Sequence, residues 1–204
     1  MTVFILGAGP MQIPAIRSAH EMGWLVAAAD GNPKAAGASL ADRFYPVDLK
    51  DLPGLEAAAL EIQASMGLDA VFTAGTDFSA PVAWLAGRLG LPGIPYEAAL
   101  RASDKLKMRA AFASAGLGSP RFLAVTRAQD ALAAAREAGL ELPLVVKPAD
   151  NMGARGCRLA RSPADLEAAC ASALPYSRSG RSIVEEYLDG PEFSLDALIV
   201  DGQV

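Results

Sequence analysis

The feature that most constrains the fold of this chain is the alternation, over residues 2–89, of short apolar runs with segments of helical period. Residues 2–6 (TVFIL) are a β-branched and aromatic run that leads into Gly7-Ala8-Gly9-Pro10. Ile13, Ile16, Ala19 and Met22 then recur at helical spacing on one face, so strand, glycine turn and helix are predicted in that order. Gly23 suits a helix C-cap, and residues 24–29 (WLVAAA) form a second buried strand that closes at Asp30. The pattern continues with a strand over 44–47, a helix over 54–66, a strand over 70–73 and a helix over 79–89. Such alternation predicts an α/β chain built on a parallel sheet with right-handed crossovers. The glycine and proline density of 90–95 (GLPGIP) ends this first unit, which spans 1–95.

A different grammar follows. Connecting helices occupy 96–116, with Ser103 read as the N-cap of a helix over 104–115 that Gly116 stops ahead of Pro120. A strand over 121–125, a helix over 127–138, a strand over 142–147, a loop over 149–156, a strand over 157–160 and a helix over 163–173 make a small α+β unit spanning 117–180. Residues 182–188 (SIVEEYL) and 193–200 (FSLDALIV) read as two strands that open a further sheet over 181–204. Asp201-Gly202 suits a tight hairpin turn. Either a small edge hairpin or a sheet cut short explains that ending, and the second is the expectation.

Composition excludes several classes. With 18 basic against 23 acidic residues the net charge is −5 and no basic stripe runs along the chain, which argues against nucleic acid as a partner. No stretch approaches the ~20 consecutive apolar residues of a membrane helix, and no membrane partner is expected. Two cysteines, Cys157 and Cys170, have neither the number nor the spacing of a disulfide framework or zinc site, so they read as reduced and the protein as cytoplasmic. A single histidine, His20, leaves no material for a histidine-based triad or metal cluster.

Four motifs carry chemistry. Gly7-Ala8-Gly9 after a strand, with Asp30 downstream, has the outline of a dinucleotide turn, but Gln stands at position 12 where Gly or Ala is wanted; a purely structural turn is the other reading. Lys147 ends an otherwise apolar strand (LPLVVKP, 142–148), and the loop after it contains Gly153 and Gly156. Lysine plus glycine loop suits a phosphate; alternatively the lysine snorkels beside an ordinary loop. Lys105, Lys107 and Arg109 open a helix, where cations oppose the helix dipole, so they are either a solvated face or await a polyanion. Strand alternation sends Glu185 and Glu186 to opposite faces, so at most one of them enters a common pocket, and Glu186 reads as surface charge.

In this order the motifs resemble the ATP-grasp superfamily, close to sequences related to the carbamoyl-phosphate synthetase large chain and to biotin carboxylase. The likeness rests on the Asp104-Lys105 helix, the Val146-Lys147-Pro148 strand end, the glycine loop, and Glu185-Glu186-Tyr187-Leu188 with Gly190-Pro191-Glu192 after it. The resemblance implies a Rossmann-like preATP-grasp domain with a parallel sheet, a small α+β ATP-grasp subdomain, and the start of a second ATP-grasp sheet. It implies that Lys105 and Lys147 serve a bound ATP, with Lys147 at the α and β phosphates, and that Gly153, Ala154, Arg155 and Gly156 form a flap over them. Glu185 would accept from the adenine amine, Glu186 and Leu188 would meet adenine through their backbone, and Glu192 would hold the ribose. Carboxylate activation through an acyl phosphate, followed by amine attack, is the implied reaction, with an unidentified small carboxylate as substrate and a homodimer left open. The family's Mg2+ ligands fall beyond residue 204, so the chain alone is expected to bind ATP weakly and to turn nothing over. Two rivals remain: an NAD(P)-dependent reductase using the Gly7 turn and Asp30, and a non-catalytic nucleotide-binding module.

Overall fold

The computed structural model describes residues 1–197, 199, 202 and 203. In the first unit, strands β1 (Thr2–Leu6), β2 (Leu25–Ala29), β3 (Arg43–Tyr45) and β4 (Ala70–Phe72) form a parallel sheet of order β3-β2-β1-β4. Helices α1 (Ile13–Glu21), α2 (Leu52–Met66) and α3 (Ser79–Leu89) cover it. β1 is apolar at nearly every position because both its faces are buried. Phe4 and Leu6 pack with Leu55, Ile62 and Leu85 of α2 and α3, while Val3 and Ile5 pack with Ile16 and Ala19 of α1. The predicted helical stripe is shorter than its period suggested, since Met22 lies past the end of α1 and is 54% exposed.

Two helices, α4 (Tyr96–Ser103) and α5 (Lys105–Ser114), lead to the second unit. Ser103 is not the cap of α5. Its hydroxyl donates back to Ala99 O and Leu100 O as the last residue of α4, whereas the Asp104 carboxylate accepts from the amides of Leu106 and Lys107. The other Asp104 oxygen takes Arg181 at 2.6 Å, which fixes the side chain in its capping position.

The second unit comprises β5 (Phe122–Val125), α6 (Ala131–Glu137), β6 (Leu144–Pro148), β7 (Arg158–Ala160), α7 (Pro163–Ala173) and β8 (Ser182–Glu186). Its sheet is antiparallel with order β5-β8-β6-β7. β8 therefore does not open a further sheet; it fills the centre of this one, where its backbone groups find partners on both sides. Residues 193–197 carry no strand, so the predicted strand over 193–200 is not seen among its described residues; Leu198, Val200 and Asp201 lie outside them. Leu144, Val146 and Val184 face α6 and α7, and Ile183 and Phe122 pack on Leu106 of α5 across the opposite face. No described helix is long and apolar enough to cross a membrane.

The cap assignment has a direct stability test. Asp104→Ala loses the cap and leaves Arg181 unpaired, and should lower unfolding free energy by about 1–2 kcal/mol. Ser103→Ala should change it by less than about 0.5 kcal/mol, as for an ordinary surface change, both read from urea unfolding midpoints.

Candidate functional site

The second sheet's α5 face carries a cluster of charge. Lys147 stands opposite Ile183 and Glu185 opposite Val145, so the two charged residues are diagonal neighbours on one face, within reach of long side chains. Lys147 Nζ donates to Glu185 Oε2 at 2.6 Å, and Arg109 Nε donates to Glu185 Oε1 at 2.6 Å. The Glu185 side chain is 2% exposed and that of Lys147 is 29% exposed. Lys105, one helical turn before Arg109, donates from Nζ to Asn151 O at 2.5 Å, while its amide donates to Ala149 O.

Two cations thus pair with one buried carboxylate, and a third, Lys105, stands beside them between Lys147 and Asp150. Burial pushes the Glu185 carboxyl up, but hydrogen bonds from Arg109 and Lys147 and their charges outweigh it and hold the group below its ordinary value. Lys105 is pulled below the usual lysine range by burial and then by the Lys147 charge. An excess of positive charge held partly out of water suits an anion.

The glycine loop lies beside this cluster. Asp150 fixes its base, accepting from Ser177 Oγ and from the amides of Arg178 and Ser179, and Asn151 Nδ2 donates to Tyr176 O at 2.8 Å. Gly156 has φ +73°, and a side chain there would meet Tyr176 at 2.8 Å and Pro148 at 3.0 Å, so only glycine closes the loop against the sheet. Gly153 and Ala154 are also left-handed, and among described residues the amides of Gly153, Ala154, Arg155 and Gly156 find no hydrogen-bond acceptor. Free amides in a left-handed turn are a concave donor surface for an anion.

The other predicted positions separate from this cluster. Glu186 turns to the opposite face and pairs with Arg121 at 2.6 Å, as the alternation requires. Leu188 is 66% exposed and Glu192 is exposed, both in the irregular segment after β8. Sequence reasoning gives Arg109 no role of its own; its signal is the four-residue step from Lys105, which puts both on one face of α5. Arg178 and Asp77 also carry no sequence signal. They form an ion pair between the two units, with the Arg178 guanidinium 5.9 Å from the Phe78 ring centre.

At the glycine turn of the first unit, Ala8 N donates to Asp30 Oδ2 at 2.9 Å. The Gln12 side chain lies against Gly7, 3.1 Å from where a β-carbon would stand. Amide and space that a pyrophosphate would need are both occupied, which disfavours the dinucleotide reading.

Residues 104–198 match the model of the carbamoyl-phosphate synthase L chain, ATP binding domain. The chain belongs to the ATP-grasp superfamily. It is 35% identical over 123 residues to a D-alanine--D-alanine ligase of Pseudomonas entomophila, covering 58% of this chain and 37% of that one. It is 34% identical over 141 residues to the alanine--anticapsin ligase of Bacillus subtilis, covering 64% of this chain and 29% of the relative. The N5-carboxyaminoimidazole synthetase of Staphylococcus aureus complexed with ADP superposes with a TM-score of 0.72 at 21% identity, over 92% of this chain and 48% of that one, and so shares the fold. This ATP-grasp chain therefore spans less than half the length of these relatives.

The pH dependence follows from Glu185. A carboxylate with a lowered folded-state pKa contributes stability above its unfolded value of about 4.3 and loses it as pH falls through the folded value. Glu185→Gln should cost about 3 kcal/mol near neutrality, as for a broken buried ion pair. The gap between wild type and variant should narrow below about pH 4.3, followed by urea unfolding from about pH 6 to about pH 3.

Proposed function

We propose that this chain is the nucleotide-gripping part of an ATP-dependent carboxylate–amine ligase, with the phosphates held at Lys105 and Lys147 beneath loop 153–156. The observation that carries this reading is the excess of half-buried positive charge around Glu185 beside a row of loop amides that find no acceptor among the described residues. Relatives named as ligases of amino acids and a fold neighbour complexed with ADP support it. In this reading Glu185 acts first as the anchor that orients Lys147 and Arg109, and adenine runs along the end of β8. There the Glu186 side chain and amide are both committed to Arg121, so adenine is left the Glu186 carbonyl and the backbone of Leu188, with Glu192 beyond them for ribose.

The reaction assigned to the whole protein proceeds in two displacements. A carboxylate oxygen of the substrate attacks the γ-phosphorus, forming the acyl phosphate and releasing ADP. An amine nitrogen then attacks the acyl carbon, loses a proton and expels phosphate. The contribution of this chain is to position the triphosphate and to neutralise its charge. Among the described residues no three His, Cys, Asp or Glu side chains stand close enough together to hold a metal ion.

Titration with a fluorescent ATP analogue tests the assignment. Lys147→Ala and Lys105→Ala should each weaken binding at least ~10-fold, whereas Arg127→Ala, which breaks only a surface pair with Asp130, should leave it unchanged. At alkaline pH, binding should take up protons, because phosphates raise the lowered pKa of Lys105; calorimetry in two buffers of different ionisation enthalpy reads this. Equal affinity in the lysine variants and the wild type would remove the phosphate site from this face.

A further inference from the structure

The cations that open α5 do not all serve the same face. Lys105 and Arg109, one helical turn apart, belong to the charged face beside Glu185. Lys107 stands about 200° round the helix from Lys105 and lines a separate cavity instead. That cavity measures about 370 Å3 and lies at the joint of the two units, between the turn before α2, the start of α3, helix α4 and the turn ahead of β8. A space of this size suits a small ligand.

Its charges do not balance. Asp77 holds Arg178, and Asp104 holds Arg181 at 2.6 Å. Asp150 accepts from Ser177 Oγ and from the amides of Arg178 and Ser179. All three acids that line the cavity are therefore answered from within the protein. Lys50, from the turn before α2, and Lys107 line it as well, and neither enters an ion pair among the described residues. Two ammonium groups from different elements are left over at one opening. The rest of the lining is apolar: Leu49, Leu52 and Phe78 pack against the core of the first unit, and Leu100 of α4 joins them.

We propose that this joint cavity binds a phosphate monoester with a compact apolar body, its phosphate held by Lys50 and Lys107 and its body against Leu52 and Phe78. Such a phosphate carries a charge of about −1.5 to −2 near neutrality, which two ammonium groups match. A monocarboxylate answers only one of them, and inorganic phosphate leaves the apolar wall in water. Because Lys50 belongs to the first unit and Lys107 to α5, the occupant bridges the two units beside the Asp77–Arg178 pair. The site goes beyond the nucleotide reading and does not rest on it.

Phenyl phosphate is the probe. Saturation-transfer NMR on its ring protons gives the affinity, with inorganic phosphate and benzyl alcohol added as competitors. Phenyl phosphate should bind saturably, and each competitor should displace it only at concentrations at least ~10-fold higher. Lys50 and Lys107 are exposed, so their removal leaves the fold intact. Lys50→Ala and Lys107→Ala should each weaken binding ~10-fold. Lys105→Ala removes the same charge from the same helix on its other face and should leave phenyl phosphate binding unchanged. Absence of saturable binding overturns the site, as does displacement by either competitor at the concentration of phenyl phosphate itself. Equal losses in the Lys105 and Lys107 variants also overturn it, since the anion then answers overall charge or the face beside Glu185. The fluorescent ATP titration on the same variants reads the ligase assignment separately: Lys107→Ala should leave nucleotide affinity unchanged, and a nucleotide response that fails in the wild type removes that assignment while the joint site stands.

Discussion

The charged face of the second sheet depends on one carboxylate. Glu185 is nearly inaccessible and would be costly there alone, yet each of its oxygens has a cation at 2.6 Å. Those contacts tie three elements together: α5 through Arg109, β6 through Lys147 and β8 through Glu185 itself. Because this one negative charge answers two cations, with Lys105 on the same helix face, neutralisation is incomplete and a residual positive charge remains there. Rigidity and residual charge thus come from the same side chain.

Much of this was legible in the sequence, and the reasons are specific. β1 is read correctly because a continuous apolar run followed by Gly7 fits few structures other than a strand buried on both faces. The opposite fates of Glu185 and Glu186 follow from the two-residue period of a strand, whatever its neighbours. What escaped is non-local. The insertion of β8 between β5 and β6 joins residues 122–125 and 144–148 to a segment distant in sequence, and nothing in SIVEE specifies that partner. Ser103 and Asp104 are both good caps, and the choice falls to Asp104 through a contact with Arg181, seventy-seven positions away.

The glycine turn after β1 shows the same limit from the other side. Its residues satisfy most of a dinucleotide pattern, and the structure does use Gly7 at a positive φ. Function diverges through Gln12, whose side chain fills the space that a small residue would leave open, and through Asp30, which reaches back to an amide instead of forward to a ribose. These two side chains close a shared scaffold to the approach that a pyrophosphate would take.

The Arg178 junction has an engineering consequence. Asp150 receives the Arg178 amide, its carbonyl receives the Arg178 guanidinium, and the same guanidinium grips Asp77 of the first unit. Asp150 is also the residue from which the glycine loop departs. Exchanging the first unit for that of another protein therefore transplants half of a joint: a chimera lacking an acid at position 77 would strand a guanidinium against the foot of the loop. Modular recombination at residues 90–95, where composition invites it, has to carry that acid along.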